Sequence, residues 1–314
     1  MIRRGPLTLP MGMQALIEHS ARSYLAAGGA VDFTAPAGEP ALAGPDSVCW
    51  QVFRNPVSLF VGGIAAVILE LAEPRVREGV WTHSRFRAAP AERLQRTGLA
   101  AMVTVYGARS VAETMIAGVS RAHDGVSGST PDGTPYRASD PELLTWVHAT
   151  AAFGFLNAFT TFVAPLSEAE RDSFCAEGRD AGLLYGVPAP PTSQAELAAC
   201  LAPMAPRLEP SPILLEFLAI MRRAPILPPG ARLLQGMLVR AAVGILPGWA
   251  RERLGLDTGW TLRRREARLL RSAARLAQRL RLDSSPAAQA CLRLGLPPDH
   301  LQTAWANRAD ASRA

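Results

Sequence analysis

The chain contains no lysine; every one of its 33 Lys+Arg cations across 314 residues is arginine. We read this as the mark of GC-rich coding, not as a device for recognising phosphate. Cysteine is scarce as well. Cys49, Cys175, Cys200 and Cys291 form no C-x-x-C pair, and none sits beside a histidine at a local spacing. That excludes a zinc knuckle and a disulfide framework, and the usage suits a reducing cytosol. Long apolar stretches are missing too. The cleanest, Val57–Leu69, lies between Arg54 and Glu70 and falls short of the ~20 residues a membrane span needs. Leu143–Leu166 has no formal charge with His148 neutral, but its histidine, asparagine and threonines read as a buried helix of a soluble protein. The first residues lack the apolar core of a signal peptide, so the expectation is cytoplasmic. There is no G-x-G-x-x-G after a strand, no P-loop, no G-x-S-x-G and no H-E-x-x-H. Dinucleotide-dependent hydride transfer, P-loop phosphoryl transfer, serine hydrolysis and zincin chemistry lose their sequence support.

What is present is a chain 48% hydrophobic and 19% charged, with 26 prolines and 26 glycines. Such a chain buries a core built of many moderate elements. Helical spacing recurs at about 57–73, 91–106, 109–123, 140–164, 167–184, 193–205, 211–221, 230–246 and 262–281, and no segment alternates as a strand does. The fold class is all-α: one globular helical domain. We place an irregular N-terminal extension at 1–45, with a short amphipathic piece at Met11–Leu25, then the helical domain at 46–258 and a basic C-terminal extension at 259–314. Two helix starts are signed locally. Asp140-Pro141-Glu142 supplies a cap, a first-turn proline and an acid. Ser167 and Glu170 form a capping box after Pro165 has closed the helix before it.

The net charge of +6 is concentrated between Arg263 and Arg281, where eight arginines meet the single acid Glu266. The rest is close to neutral, which argues against nucleic acid as a partner. The 262–281 helix reads as basic on nearly every face and loosely packed: either a solvated face or a peripheral contact for anionic lipid.

Of the five histidines, His19, His83, His123, His148 and His300, none pair at helical spacing, so no single helix builds a metal site. His148 lies within the uncharged segment. Leu144, Thr145, Ala151 and Ala152 stand three and four residues away, and Phe155 and Phe159 continue its face. A shelf of small residues beside an imidazole suits a planar macrocycle with its iron on the histidine. It equally suits a core histidine donating to a carbonyl. Arg93, Arg96 and Thr97 share a second face that continues through Ala100, Ala101 and Thr104. Two guanidinium groups and a hydroxyl above small residues can hold an anion or polarise dioxygen, or form a solvated first turn.

The sequence resembles the MpaB/rubber-oxygenase (latex-clearing-protein) family over roughly residues 45–255. The blocks that carry the likeness are Val80-Trp-Thr-His-Ser-Arg-Phe-Arg87, Arg93-Leu-Gln-Arg-Thr97 and, most specifically, Asp140-Pro-Glu-Leu-Leu-Thr-Trp-Val-His-Ala-Thr150. Shorter matches are Ser47-Val-Cys-Trp50, Gly62-Gly63, Val126-Ser-Gly128, Gly186-Val-Pro188 and Leu246-Pro247. The resemblance implies a globin-reminiscent helical fold holding haem b with its iron on His148, and Thr145, Ala152 and Phe155 against the cofactor. It implies O2 bound trans to His148, with Arg93, Arg96 and Thr97 as the distal, catalytic residues, and an apolar unsaturated substrate, isoprenoid or acyl, with Phe153, Phe155 and Phe159 lining its pocket. The rubber oxygenases carry Arg-x-x-Lys-Thr on the distal side, where the lysine can ligate the iron. Here that position is Arg96, which stays charged and cannot ligate, so a lysine-closed resting state is excluded. Glu70 and Glu73 are the two candidates for the family's basic glutamate. His83 reads as structural, and a carrier or sensor that binds haem without turnover is the alternative function.

Overall fold

The computed structural model describes residues 29–225, 227, 232–257 and 259–311, together with Leu7, Gln14 and Glu18. His19 and the Met11–Leu25 amphipathic piece lie outside the described residues, apart from Gln14 and Glu18. Residues 29–46 form turns and coil. The helices then follow as α1 (Val48–Arg54), α2 (Pro56–Ala72), α3 (Pro74–His83), α4 (Pro90–Tyr106) and α5 (Arg109–Asp124). After a hairpin of β1 (Ser127–Ser129) and β2 (Pro135–Arg137) come α6 (Pro141–Phe162), α7 (Glu168–Glu177), α8 (Arg179–Leu184) and α9 (Gln194–Leu201). A 3-10 turn (Ala202–Arg207) leads to α10 (Pro212–Arg223), α11 (Arg232–Gly244), α12 (Gly248–Arg253), α13 (Arg264–Ala277), α14 (Pro286–Arg293) and α15 (His300–Ala311). The chain is predominantly all-α, as its spacing predicts.

The central joint is the crossing of α2 on α6. Asn55 starts α2: its side chain accepts from the N–H groups of Val57 and Ser58, and Pro56 takes the first turn, where no N–H is needed. At the crossing, Gly62 faces Gly154. A Cβ on Gly154 would stand 2.3 Å from the Gly62 carbonyl oxygen, so the two backbones approach as only glycine permits. Trp50, Ile68, Leu71, Trp146 and Phe159 are sealed around this joint.

Several expectations are corrected. The 167–184 segment is two helices, because Gly178 ends one and begins the next. The 193–205 segment turns 3-10 at Ala202, with Pro203 at the break. Ala72-Glu-Pro-Arg75 reads as punctuation after the 57–73 helix, but Pro74–His83 is α3: Pro74 occupies the first turn and the Glu73 carboxylate accepts from Val76 N–H. The 127–137 hairpin is too short to show alternation. The arginine-rich α13 is not loose. Leu270 and Ala274 are buried, and Asn55 Nδ2 donates to Ala274 O at 2.9 Å and to Gln278 Oε1 at 2.9 Å. Asp140 and the Ser167/Glu170 box cap α6 and α7 as expected.

Among the described residues, no single helix is long and apolar enough to cross a membrane. The pair α1 and α2 has the composition but bends by 94° between the two helices.

Candidate functional site

The α6 helix carries two candidate side chains, His148 and Thr150, two residues apart, which therefore point to different sides of it. On one side is His148. Its imidazole is half-buried and makes no hydrogen bond among the described residues, so the reading of a core histidine donating to a carbonyl finds no partner. Burial alone lowers its pKa from the usual histidine value, which keeps the ring neutral near pH 7 and its nitrogen lone pair free. The ring lies against the backbone of α8. A Cβ on Gly182 would stand 3.0 Å from His148 Cε1 and 2.7 Å from Pro190, and one on Gly178 would stand 3.9 Å from Cε1. The glycines leave the imidazole its room. Beside it, Thr145 Oγ1 donates back to Pro141 O at 2.7 Å and Ala152 is half-buried.

On the other side is Thr150, whose hydroxyl lies 3.4 Å from Glu70 Oε1. Glu70, at the last turn of α2, is enclosed deep in the protein while part of its surface faces open space. Desolvation pushes its carboxyl up to about 7, against the opposing pull of the Arg93 guanidinium and the Thr150 hydroxyl. No direct ion pair joins Glu70 to Arg93; the two interact through space. Arg93 is tied instead to its own helix: Nη1 donates to Thr97 Oγ1, which in turn donates to Arg93 O at 2.9 Å. Desolvation and the like charge of Arg96 lower the Arg93 pKa, while Glu70 raises it. The structure thus gathers Glu70, Arg93, Thr97 and Thr150 from three helices, with Arg96 exposed at the rim.

From Arg93 the same face of α4 continues through Thr97, Ala100, Ala101 and Thr104, eleven residues or about 16 Å of small side chains. It ends where Thr104 Oγ1 meets Tyr185 OH at 3.1 Å, at the C-terminal end of α8, the helix that cradles His148. His148 and the glutamate cluster are therefore approached by the two ends of one helix face, and no contact joins them directly.

The sequence-derived phenylalanines are dispersed. Phe155 is engaged in the α2–α6 joint, tilted on Phe53 at 4.6 Å between ring centroids and lying under Gly62, which takes it away from the His148 shelf. Phe159 is fully buried edge-on to Trp305. Phe153 lines a separate cleft of about 520 Å³ with Leu156, Thr160, Leu197, Leu201 and Trp249.

Glu73 is spent on the α3 cap and on Arg75, at 2.7 Å. His83 meets Tyr136 OH at 3.4 Å and fastens α3 to the hairpin, and His300 meets Asp46 at 3.0 Å. Tyr185 escapes the sequence reading, which offers it no local signal, and Thr150 enters it only as the last residue of the Asp140–Thr150 block. His123, at the end of α5, has its pKa lowered by burial and by the Arg93 charge. The four cysteines are free and the thiols of Cys49, Cys175, Cys200 and Cys291 are pushed up by burial, which leaves them poor nucleophiles. Among the described residues no three His, Cys, Asp or Glu side chains cluster as a metal site.

Compared with known protein families, residues 50–279 match the model described as ER-bound oxygenase mpaB/B'/Rubber oxygenase, catalytic domain. No curated protein and no solved structure matches the chain.

Proposed function

The chain belongs to the mpaB/rubber-oxygenase catalytic-domain family, a family of oxygenases, and from that premise we propose a haem b-dependent oxygenase acting on an apolar, unsaturated substrate of isoprenoid or acyl type. The observation that carries the haem reading is His148. It is neutral, half-buried and without a hydrogen-bond partner among the described residues, and it is held in a cradle that a Cβ on Gly182 would fill. Those properties would suit an imidazole whose nitrogen lone pair is kept for a haem iron. The residues fit the group: His148 would hold the iron, with Thr145 and Ala152 beside it on α6. Haem bound there supplies the iron that activates dioxygen.

The remaining chemistry belongs to the chain's own groups. Glu70 at about 7 is half protonated near neutrality, the condition under which one carboxyl both takes and gives a proton at its Oε atoms. The Arg93 charge, and the Thr150 hydroxyl 3.4 Å away, keep its proton affinity from rising further. Arg93 is fixed on the Thr97 hydroxyl before any substrate arrives, so the remaining N–H donors of its guanidinium are preorganised toward negative charge developing on oxygen. Arg96 adds positive potential at the rim. Of the two glutamates, Glu70 takes the basic role, because Glu73 is consumed by its cap and ion pair.

The test is dioxygen uptake by haem-loaded protein with unsaturated isoprenoid and acyl substrates. The reading expects uptake whose kcat/KM rises through about pH 7 as Glu70 deprotonates, and a flat, at least tenfold lower profile in Glu70→Gln. Haem bound with no uptake across both substrate classes would instead make the protein a carrier or sensor.

A further inference from the structure

Outside this site, α13 presents a strongly charged surface. Leu270 and Ala274 set its inward side. Arg264, Arg265, Arg268, Arg271 and Arg275 all stand exposed on its outward arc. On the same arc Leu269 and Leu276, seven residues apart and so aligned along the helix, are 54% and 49% exposed. Glu266, the one acid between Arg263 and Arg281, pairs with Arg240 of α11 and accepts from Arg263 N–H at 2.9 Å. It neutralises none of the five outward arginines, and none of the five forms an ion pair among the described residues. Arginines 264 and 268, 268 and 271, and 271 and 275 stand at helical neighbour spacing. Each such like-charged pair destabilises a helix that has no counter-charge. The helix is kept by its buried side and bears the repulsion on its outer side.

We propose that α13 docks the protein on an anionic lipid bilayer, with the arginines on headgroup phosphates and Leu269 and Leu276 at the headgroup–acyl boundary. The exposed leucines decide between polyanions. A nucleic acid backbone offers them nothing, whereas a lipid interface buries them. A second copy of the chain is disfavoured because it would set five arginines against five. Arg271 Nε also donates to Thr161 O at 3.2 Å, which ties the helix to α6 while its other N–H groups stay available. The inference is independent of the haem reading.

The experiment is sedimentation of the full chain with vesicles of phosphatidylcholine alone and of phosphatidylcholine with an equal share of phosphatidylglycerol. A short DNA duplex serves as the competing polyanion. The expected result is binding to the anionic vesicles only, falling steeply between about 50 and 300 mM salt as the charges are screened. R265E/R268E/R275E lowers the partition coefficient at least about tenfold, and L269S/L276S lowers it about threefold or more at physiological salt. L269S/L276S keeps the wild-type thermal midpoint because its side chains are exposed, and R265E/R268E/R275E does not lower it because the reversal relieves the like-charge repulsion along the helix. No binding to anionic vesicles at low salt, unchanged binding in either variant, or tighter binding to the duplex than to the vesicles overturns the proposal.

Discussion

At the scale of single residues, Glu70 has the most direct consequence for stability. Its carboxyl titrates at about 7 in the folded protein, above the value of 4.5 for an unperturbed glutamate. Between those two values the folded state holds a proton that the unfolded state has lost, so stability falls as pH rises through that window and levels off above about 7. Glu70→Gln removes the dependence. Chemical denaturation at pH 5 and pH 8 should show the variant near wild type at the lower pH and more stable by about 1–3 kcal/mol at the higher. An unchanged slope would mean that Glu70 is hydrated and not the neutral-pH acid–base group. Gly182 is the matching test of the histidine cradle. Gly182→Ala puts a methyl about 3.0 Å from His148 Cε1. It should weaken haem retention about tenfold and shift the absorption band, while the far-ultraviolet circular dichroism stays helical. What was legible at this scale was His148 and the Arg93/Thr97 face, because each is written within one helical stretch. The Glu70–Arg93–Thr150 grouping is assembled from three helices far apart in the chain. Spacing cannot show it, and it left Glu70 and Glu73 undivided. Phe155 shows the opposite limit: its position on the helix matches the His148 face, while in the fold its ring packs on Phe53 and Gly62, contacts that spacing alone does not reveal.

At the scale of elements, local signals predicted helix boundaries where the cap is a side chain next door. Asp140-Pro141 and Ser167 with Glu170 are such cases. They failed where one residue plays two parts. Pro74 reads as punctuation yet is the first-turn proline of α3, with Glu73 as its cap. The hairpin fell below the length at which alternation is visible. The α13 helix misled because its composition hides a narrow buried stripe, Leu270 and Ala274, under an arginine surface. The α2–α6 crossing yields an element-scale prediction. Gly154→Ala places a methyl against the Gly62 carbonyl, so the helices must separate, at a cost of about 3 kcal/mol or more. Thermal unfolding should show a midpoint lowered by several degrees, and haem retention should fall with it, since α6 carries His148. A midpoint equal to wild type would show that the crossing is looser than its geometry.

At the scale of the whole molecule, the family match over residues 50–279 runs from α1 into α13 and takes in every element that positions the site. A cofactor that binds only the folded chain must stabilise all of it. At a free haem concentration a hundredfold above Kd the gain is about 2.7 kcal/mol, or a midpoint raised by about 4 °C for a chain of this length. The central claim, that His148 is the axial ligand of a bound haem, is tested most directly by the visible spectrum and pyridine haemochrome content of protein expressed with haem precursor, beside His148→Ala. The account predicts one haem per chain with an intense Soret band in the wild type, and a variant that is folded but nearly colourless. A Soret band of equal intensity in His148→Ala, or no haem in intact wild-type protein, would contradict it.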